Sequence, residues 1–318
     1  MKIFSAYNSI AVTGSIAYDE IMNFPGFFKD HFHPEKLHQI NVSFVVDKLA
    51  KHLGGTATNI AYNTSMCTSS KVSVLGAMGK DHDDITRMFK EKNIDYSGSI
   101  IDGNLYTSTG KVMTDKADNQ IWGYYYGAGI RGKDIDFKKF SSGLPLFVIS
   151  ANHADAFLHV QNYCIENSIA YLYDPGMSLT FISDKDLEAG IRSAKFVVGN
   201  DYEIAQIERR LQLSILDIIP KGSGLITTLG SKGIHFQSDI LDLAVGGYGI
   251  DSIVDPTGAG DAWRGGFIGG LLEGKSLEDS LRMGNALASF AIEHVGTVNH
   301  TPSAKDILNR AQSLSVTT

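Results

Sequence analysis

The sequence has no apolar run long enough to cross a membrane, and its first residues, MKIFSAYNSIAVTGS, contain no cleavable apolar stretch. It has only two cysteines, Cys67 and Cys164, in neither a CxxC pair nor a Cys/His cluster. An excess of positive charge is also missing, since 28 Lys and Arg face 35 Asp and Glu. These absences argue against a membrane protein, a disulfide-stapled scaffold and a nucleic-acid surface. We therefore expect a cytoplasmic protein with reduced, buried thiols.

The chain also lacks internal repeats and low-complexity segments. With 318 residues, of which 43% are hydrophobic, it can bury a substantial core. We expect one domain spanning residues 1–318.

Short apolar runs suited to buried parallel strands recur along the chain, at 9–14, 71–79, 146–150, 169–174, 195–200 and 224–230. Between most of them lie segments with helical spacing, at 55–68, 82–92, 154–167 and 184–192. This alternation predicts an α/β fold with a mostly parallel central sheet and helices on both faces. Ligands of such sheets bind beyond the carboxyl ends of the strands.

Two segments interrupt the alternation, about 20–46 and 104–127. Both show loop signals and period-two patterns, and Asp118-Asn119 suits a hairpin turn. We expect them to pair as a small β-sheet that covers the strand ends as a lid. Near the C-terminus, 258–293 predicts two long helices split by Gly274 and Lys275.

The string DPTGAGDAWRGGF at 255–267 places an acid directly after a loop of small residues. In one interpretation, Asp261 is a first-turn acid that favours the helix dipole, and the glycines only form the turn. In the other, backbone N–H groups at the helix entry bind an anion and Asp261 accepts a proton from a nucleophile. The string alone does not decide between them.

Two more candidate groups precede helices in the first quarter of the chain. Asp19 in GSIAYDE is either a turn acid or a carboxylate that binds two substrate hydroxyls. Gly54 and Gly55 are either a simple turn or a point where a ligand approaches the backbone. Asn59, one turn into the following helix, can donate to and accept from a polyol.

The strand run VVGNDYE ends in Asn200, with Glu203 three residues later. This spacing is typical of a helix capping box, and it also suits a hydrated Mg²⁺ bound through water. The two roles are compatible. The string TTLGSKG at 227–233 is either a bare hairpin or a source of hydroxyl and N–H donors for a nucleotide, with Lys232 near phosphate or at its rim.

Aromatic and imidazole side chains in the predicted lid admit similar alternatives. The histidines His31, His33 and His38 contain an HxH pair, but other metal ligands are not evident, so we interpret them as a solvated loop. Tyr124 to Tyr126 are either ordinary strand residues or a wall that stacks on a flat ring.

Taken in order, Asp19, GGTATN at 54–59, NDYE at 200–203, TTLGSKG at 227–233 and DPTGAGDAWRGGF at 255–267 resemble the ribokinase-like (PfkB) family of carbohydrate and nucleoside kinases. The resemblance spans nearly the whole chain. Within the family, AVTGSIAYDEIMNFPGFF, HQINVSFVVDKL and GNDYE are most similar to bacterial and archaeal adenosine and nucleoside kinases. It implies ATP-dependent phosphorylation of a primary alcohol, which favours the catalytic interpretation of Asp261.

The resemblance implies a role for each matching position. Asp261 matches the general base. The family's anion hole, which receives the phosphate, corresponds to Gly258, Ala259 and Gly260 in this sequence. The residues that hold the sugar ring correspond to Asp19, Gly55 and Asn59, and Ser43 lies at the position of a lid contact. From the tyrosine run itself we expect Tyr124 to contact the substrate.

The nucleotide and ion positions follow from the same resemblance. The positions that surround ATP in the family correspond to Asn200, Thr228, Gly230, Gly233 and Asn285 in this sequence. Asn200 and Glu203 match the signature tied to Mg²⁺, and many members bind K⁺ where Asp255 and Thr257 would be neighbours.

Two departures concern the acceptor. Met177 in DPGMS stands where related nucleoside kinases often place Gln, and Gly110 stands where some relatives place an aromatic residue against the base. These departures weaken polar and aromatic recognition of a base and suit a broader nucleoside range or a plain sugar. The 20–46 segment with Ser43, the similarity of the N-terminus to nucleoside kinases and the three tyrosines favour a nucleoside acceptor, adenosine first, phosphorylated on its 5′-hydroxyl. The alternatives are a sugar such as ribose or fructose, and a nucleoside- or sugar-binding protein without catalysis. Family members also lead us to expect a homodimer through the lid.

Overall fold

The computed structural model describes residues 7–32, 39, 41–117, 119–143 and 145–317. Within them, the strands are β1 (Ser9–Thr13), β2 (Ala17–Asn23), β3 (Lys48–Gly54), β4 (Lys71–Leu75), β5 (Ala77–Met78), β6 (Ile100–Ile101), β7 (Ser108–Thr114), β8 (Gln120–Tyr125), β9 (Pro145–Ser150), β10 (Tyr171–Asp174), β11 (Phe196–Asn200), β12 (Gly224–Thr228), β13 (Ile234–Gln237), β14 (Asp242–Val245) and β15 (Val316–Thr317). The helices are α1 (Thr56–Ser65), α2 (Asp83–Glu91), α3 (Ala154–Glu166), α4 (Asp184–Arg192), α5 (Asp201–Leu211), α6 (Ile215–Ile218), α7 (Ala259–Leu272), α8 (Leu277–Ala291) and α9 (Ala304–Gln312).

The main sheet has nine strands in the order β15-β14-β13-β12-β11-β10-β9-β1-β4. The strands β4, β1, β9, β10, β11 and β12 are parallel to one another, and β13 to β15 continue the sheet in antiparallel pairs. Each predicted apolar run forms a strand of the parallel part. This confirms the mostly parallel sheet, since near-continuous apolar runs are what strands buried on both faces require.

Helices cover both faces of this sheet. On one face, Ile60 of α1 and Phe267 of α7 belong to a cluster that includes Val148 and Leu172. On the other, Phe157 of α3 packs in a cluster with strand residues of the opposite alternation, among them Phe147 and Tyr173. Successive strand residues therefore contribute to two separate cores, because side chains alternate across a strand.

Helix α7 fits closely between α1 and α8 because glycines face both neighbours. A Cβ at Gly265 would lie 2.3 Å from Cβ of Asn63 on α1. A Cβ at Gly266 would lie 2.5 Å from the carbonyl oxygen of Met283 on α8. The paired glycines in the sequence thus allow close helix packing, which fixes the position of the N-terminus of α7.

A separate four-stranded sheet has the order β3-β2-β7-β8 and forms the lid. Its strands at 108–114 and 120–125 lie inside the expected 104–127 segment. The first pair, 17–23 and 48–54, brackets the expected 20–46 segment instead of lying within it, and the described residues 41–46 form no strand. A few residues named above lie outside the described residues: His33, His38 and Asp118.

None of the helices in the described part of the chain combines the length and apolar character that a membrane span requires.

Candidate active site

A cavity of about 450 Å³ opens at the carboxyl ends of the central parallel strands, under the lid. Its lining includes many of the predicted site residues: Asp19, Gly55, Asn59, Tyr124, Asn200, Glu203, Thr228, Gly260 and Asp261. Residues from β2, β8, α1, β11, β12 and α7 therefore meet in one place, at the edge where parallel sheets bind ligands. Predicted residues that do not line this cavity are Ser43, Gly230, Gly233, Asn285, Gly258, Ala259, Asp255 and Thr257.

Helix α7 begins at the cavity with a left-handed glycine. Gly258 has a φ of 77°, and a Cβ there would lie 2.7 Å from Cγ2 of Thr297, so only glycine suits the position. The backbone N–H groups of Gly260 and Asp261 find no acceptor among the described residues. Such free N–H groups at a helix N-terminus attract an anion, with the helix dipole adding to the effect.

Asp261, in the first turn of α7, is held by a chain of hydrogen bonds. Asn59 donates from Nδ2 to Oδ2 of Asp261 at 2.8 Å. The Thr297 hydroxyl donates to Oδ1 of Asn59 at 2.7 Å, which fixes the amide so that its NH₂ faces the carboxylate. Burial raises the pKa of Asp261, while Arg264 and the Asn59 hydrogen bond oppose the rise. A carboxylate with increased proton affinity is suited to act as a base.

Asp19 supplies a second carboxylate from β2. A Cβ at Gly54 would lie 2.1 Å from Oδ2 of Asp19, so the side chain crosses over the neighbouring strand where only glycine leaves room. Burial raises the pKa of Asp19, and the nearby His52 opposes the rise. Gly55, with a φ of 89°, begins α1 and carries the backbone past Ser15. The position of Asp19 in the cavity wall therefore depends on the missing side chain at Gly54.

A buried ion pair, Asp174 with Arg264, also lines the cavity. Arg264 Nη2 donates to Oδ1 of Asp174 at 2.7 Å, and Nε lies 2.5 Å from Oδ2 without pointing its hydrogen at that oxygen. Both side chains are under a tenth exposed. The apolar run at 169–174 ends in Asp174, but the sequence analysis assigned no role to Asp174 or to Arg264.

Asn200 and Glu203 form a capping box at the start of α5. Oδ1 of Asn200 accepts from the Glu203 N–H at 2.8 Å, and Oε2 of Glu203 accepts from the Asn200 N–H at 2.8 Å. In the register of the sheet, Asn200 pairs with Thr228 of β12. The described residues contain no cluster of three or more metal-ligating side chains, and Glu203 has one carboxylate oxygen outside the box. This donor set fits a hydrated Mg²⁺ held through water and not a directly chelated ion.

Three residues predicted to lie around ATP occupy the region beyond the cavity. A Cβ at Gly233 would lie 2.0 Å from the Val245 carbonyl oxygen, which explains glycine at this hairpin position. Gly230 is exposed in the same turn. The amide of buried Asn285 accepts from Nε1 of Trp263 and donates to the carbonyls of Val245 and Gly246. It therefore fixes the loop after β14 to α8.

Asp255 and Thr257 lie in the loop before α7. The carboxylate of Asp255 accepts from the N–H groups of Thr257 and Gly296, both at 2.9 Å. Burial alone would raise the pKa of Asp255, but these hydrogen bonds lower it overall. Asp255 thus fastens the helix-entry loop to the segment that carries Thr297.

Aromatic side chains form one wall of the cavity. Tyr124 and Tyr126 both line it, with ring centroids 5.0 Å apart in an edge-to-face arrangement. Met177, which is 56% exposed, lines it as well. A Cβ at Gly110 would lie 3.1 Å from Oδ1 of Asp19 and 3.4 Å from Trp122, so a large side chain could not be added there without displacing them.

The sequence analysis gave no role to Asn152, Asp174, Arg264 or Thr297. A local signal exists for Asn152 and Asp174, which are polar residues at or just after the ends of apolar runs. Arg264 and Thr297 carry no local signal, because their partners are far away in the chain; Thr297 and Asn59 are 238 residues apart.

Comparison with known proteins places this geometry in context. The model of the pfkB family of carbohydrate kinases matches residues 10–304. The nucleoside kinase of Methanothermobacter thermautotrophicus is 28% identical over 310 residues, which cover 95% of this chain and 94% of that protein.

Two solved nucleoside kinases share the fold. That of Methanocaldococcus jannaschii, an archaeal member of the ribokinase family, has a TM-score of 0.84 at 25% identity and covers 97% of this chain and 99% of its own. That of Burkholderia thailandensis in complex with inosine has a TM-score of 0.83 at 24% identity, covering 96% and 97%. The same kinase is also solved with ADP-inosine. These likenesses confirm the ribokinase-like α/β fold with a small lid sheet.

Proposed function

The chain belongs to the pfkB family of carbohydrate kinases, and from that membership we propose that it transfers the γ-phosphoryl group of ATP to the 5′-hydroxyl of a nucleoside. The observation that carries the proposal is the position of Asp261. Its carboxylate lies in the first turn of α7, where the backbone N–H groups of Gly260 and Asp261 have no acceptor among the described residues. The same cavity contains Asp19, Tyr124 and Tyr126.

In the proposed reaction, the acceptor hydroxyl lies between Asp261 and the N-terminus of α7. The hydroxyl oxygen forms a bond to the γ-phosphorus, the bond from that phosphorus to the β–γ bridging oxygen breaks, and ADP leaves. Asp261 accepts the hydroxyl proton. The N–H groups of Gly260 and Asp261 stabilise charge on the transferred group, as does the helix dipole. Positioning and charge stabilisation are the main demands of phosphoryl transfer.

ATP would extend from α7 towards the ends of β11 and β12. Thr228 lies there beside Asn200, and the turn that contains Gly230 follows directly. Asn200 and Glu203 would hold Mg²⁺ through water. When bound, Mg²⁺ neutralises charge on the phosphates and orients them. We place a K⁺ beside the loop that contains Asp255 and Thr257.

The acceptor would bind along Asp19, Gly55 and Asn59, which suit the hydroxyls of a ribose. Tyr124 and Tyr126 would contact the base, because aromatic rings stack on bases at about 1–3 kcal/mol each. Adenosine is the first acceptor we propose. A free sugar is the second candidate, favoured by the exposed Met177, which offers no amide to a base.

The lid also provides the surface for the proposed homodimer. Strand β8 is an edge of the lid sheet and is exposed along its whole length. Ile121, Tyr125 and Leu49 are large apolar side chains on this sheet that are exposed by 42%, 46% and 67%. Exposed apolar edges of this kind are otherwise an aggregation hazard, which pairing with a second copy removes.

The test is a comparison of kcat/KM for adenosine, inosine, guanosine, cytidine, ribose and fructose with ATP and Mg²⁺. A nucleoside kinase should lose transition-state stabilisation when the base is removed, so ribose should be at least tenfold poorer than the best nucleoside. A free sugar that exceeds every nucleoside would refute the nucleoside assignment. Binding without formation of ADP from any acceptor would instead indicate a non-catalytic binding protein.

A further inference from the structure

Arg264 lies three residues after Asp261 on α7, so the two side chains share a face of the helix. It is only 7% exposed. A Cβ at Gly260 would lie 2.7 Å from Nη1 of Arg264, which shows that the guanidinium reaches back across the first turn of the helix. Helical side chains point towards the N-terminus in this way. One nitrogen of Arg264 therefore lies beside the free N–H groups at the start of α7.

The opposite edge of the guanidinium is held by Asp174. Nη2 donates to this carboxylate, and Nε lies against its second oxygen. Burial raises the pKa of Asp174 to about 6, with Arg264 opposing the rise. Burial would lower the pKa of Arg264, but the carboxylates of Asp174 and Asp261 raise it overall, so the guanidinium stays charged. The pair orients Arg264 rigidly.

Nη1, in contrast, makes no hydrogen bond with any described residue. It is the free edge of a charged group in a cavity whose other charged lining residues are all acidic: Asp19, Asp174, Glu203 and Asp261. Among the described lining residues Arg264 is thus the sole permanent cation. Asp174 engages only Nη2 and Nε, so Nη1 is left for another partner, on the side of the guanidinium that lies against Gly260 in the first turn of α7.

We propose that Arg264 is a catalytic residue that binds the transferred phosphoryl group through Nη1, with Asp174 as the residue that positions it. The inference rests on the proposed phosphoryl transfer and extends it by a cation fixed in the chain. Such a group stabilises the charge spread over the equatorial oxygens as the bond to ADP breaks. Arginine suits both tasks at once, because its planar fork can bind a carboxylate on one edge and a phosphate on the other.

The test compares Arg264→Met with Arg310→Met as a matched control. Arg310 is also largely buried in an ion pair, with Glu293, but on α9 and outside the cavity lining. We expect R264M to lower kcat by about 10²–10³, the effect of removing one preorganised donor. R310M should lower the Tm while kcat stays within threefold of wild type.

Binding separates a role at the phosphoryl group from a structural one. By calorimetry, the dissociation constant of R264M for ADP alone should be within threefold of that of the wild type. In the complex of ADP, aluminium fluoride and adenosine, the aluminium fluoride imitates the transferred phosphoryl group. R264M should bind this complex at least tenfold more weakly than the wild type. Equal loss of both affinities, or an unchanged kcat, overturns the proposal.

A double variant keeps the test valid if R264M is unstable. R264M with Asp174→Leu replaces the buried pair by apolar side chains, which often restores stability. We expect the Tm to recover while binding of the aluminium fluoride complex does not; recovery of both overturns the proposal.

If wild type phosphorylates no acceptor, the proposed function fails together with this role, whereas an active wild type with a fully active R264M removes only the role of Arg264.

Discussion

Asn59 donates a hydrogen bond to Asp261 at 2.8 Å, although the two residues are 202 positions apart in the chain. The contact joins α1 to the first turn of α7. Because the Thr297 hydroxyl donates to Oδ1 of Asn59, the amide is oriented with its NH₂ group towards the carboxylate of Asp261. Asn59 therefore acts on the proposed base directly, in addition to any contact with the acceptor.

Replacing Asp261 by Asn should remove catalysis without harming the fold. We expect kcat to fall about 10³-fold or more, because the general base is lost. General acid–base catalysis typically contributes about 10²–10⁴-fold to the rate. Tm should stay equal or rise, because burial disfavours the ionised carboxylate. Steady-state kinetics and thermal denaturation check both expectations. A variant with near-wild-type activity would refute the assignment of the base.

Replacing Asn59 by Ala should change the pH dependence of catalysis. The Asn59 hydrogen bond lowers the pKa of Asp261, so its removal raises that pKa. The acid limb of the kcat profile should then move to higher pH. Thr297→Val, which leaves Asn59 in place but frees its amide to rotate, should produce a smaller shift in the same direction. An acid limb that stays in place in both variants would contradict a link between Asn59 and Asp261.

The fold could be predicted from the sequence because its signals are local. Apolar runs of strand length and helical spacing between them specify a parallel sheet, and the polar residues that end the strands specify its functional edge. Asp19, Asn200 and Asp261 were identified from short local strings and from the resemblance of those strings, in their order along the chain, to a kinase family; only Asn200 also marks a strand end. Each sits where a strand or helix meets the cavity.

The remaining parts of the site depend on contacts that no local pattern encodes. Arg264 follows Asp261 in an ordinary helical string, and only the fold brings it to Asp174, 90 residues earlier. Gly54 was expected to form either a turn or a point where a ligand approaches the backbone, whereas the structure shows that it leaves room for the side chain of Asp19 on the neighbouring strand. The lid strand β2 begins at Ala17, before the expected segment, because its register with β3 and β7 sets its ends.

Gly54→Ala should weaken acceptor binding. A Cβ at this position would collide with the carboxylate of Asp19, which must then move out of place. We expect the KM for the acceptor to rise at least tenfold, with the KM for ATP within twofold of wild type. Gly103→Ala is the control, since a Cβ at that exposed position meets nothing within 4 Å. Equal kinetics for the two variants would refute the role of Asp19 in holding the acceptor.

The proposed dimer can be tested on the lid edge. Strand alternation places Ile121 and Tyr125 on the face of β8 opposite to Tyr124, which lines the cavity. Ile121→Lys with Tyr125→Lys should therefore convert a dimer into a monomer without entering the cavity. Light scattering at micromolar protein measures the change in mass. A wild type that is strictly monomeric under these conditions would contradict the dimer.

The last prediction concerns acid stability and His300. This residue is fully buried, and its Nε2 contacts Oδ1 of Asn63 at 2.6 Å, which assigns the proton to Nε2. Nδ1 has no partner among the described residues. Burial, together with the charges of His294 and Lys92, lowers the pKa of His300 to about 4. The folded protein therefore keeps this imidazole neutral.

Because the unfolded chain binds a proton at His300 near pH 6.5 and the folded chain only near pH 4, the free energy of unfolding falls as the pH decreases between these values. The loss from this residue is about 2 kcal/mol at pH 5 and about 3 kcal/mol at pH 4, relative to pH 8. His300→Gln keeps an amide donor near Nε2 but does not titrate, so its unfolding free energy should fall less steeply over this range. The exposed His31→Gln is the control, because His31 is not among the groups that shift the pKa of His300, and it should change the slope by less than a third as much. Denaturant unfolding at pH 8, 6, 5 and 4 measures these slopes, and parallel curves for wild type and H300Q would show that His300 is not the group responsible.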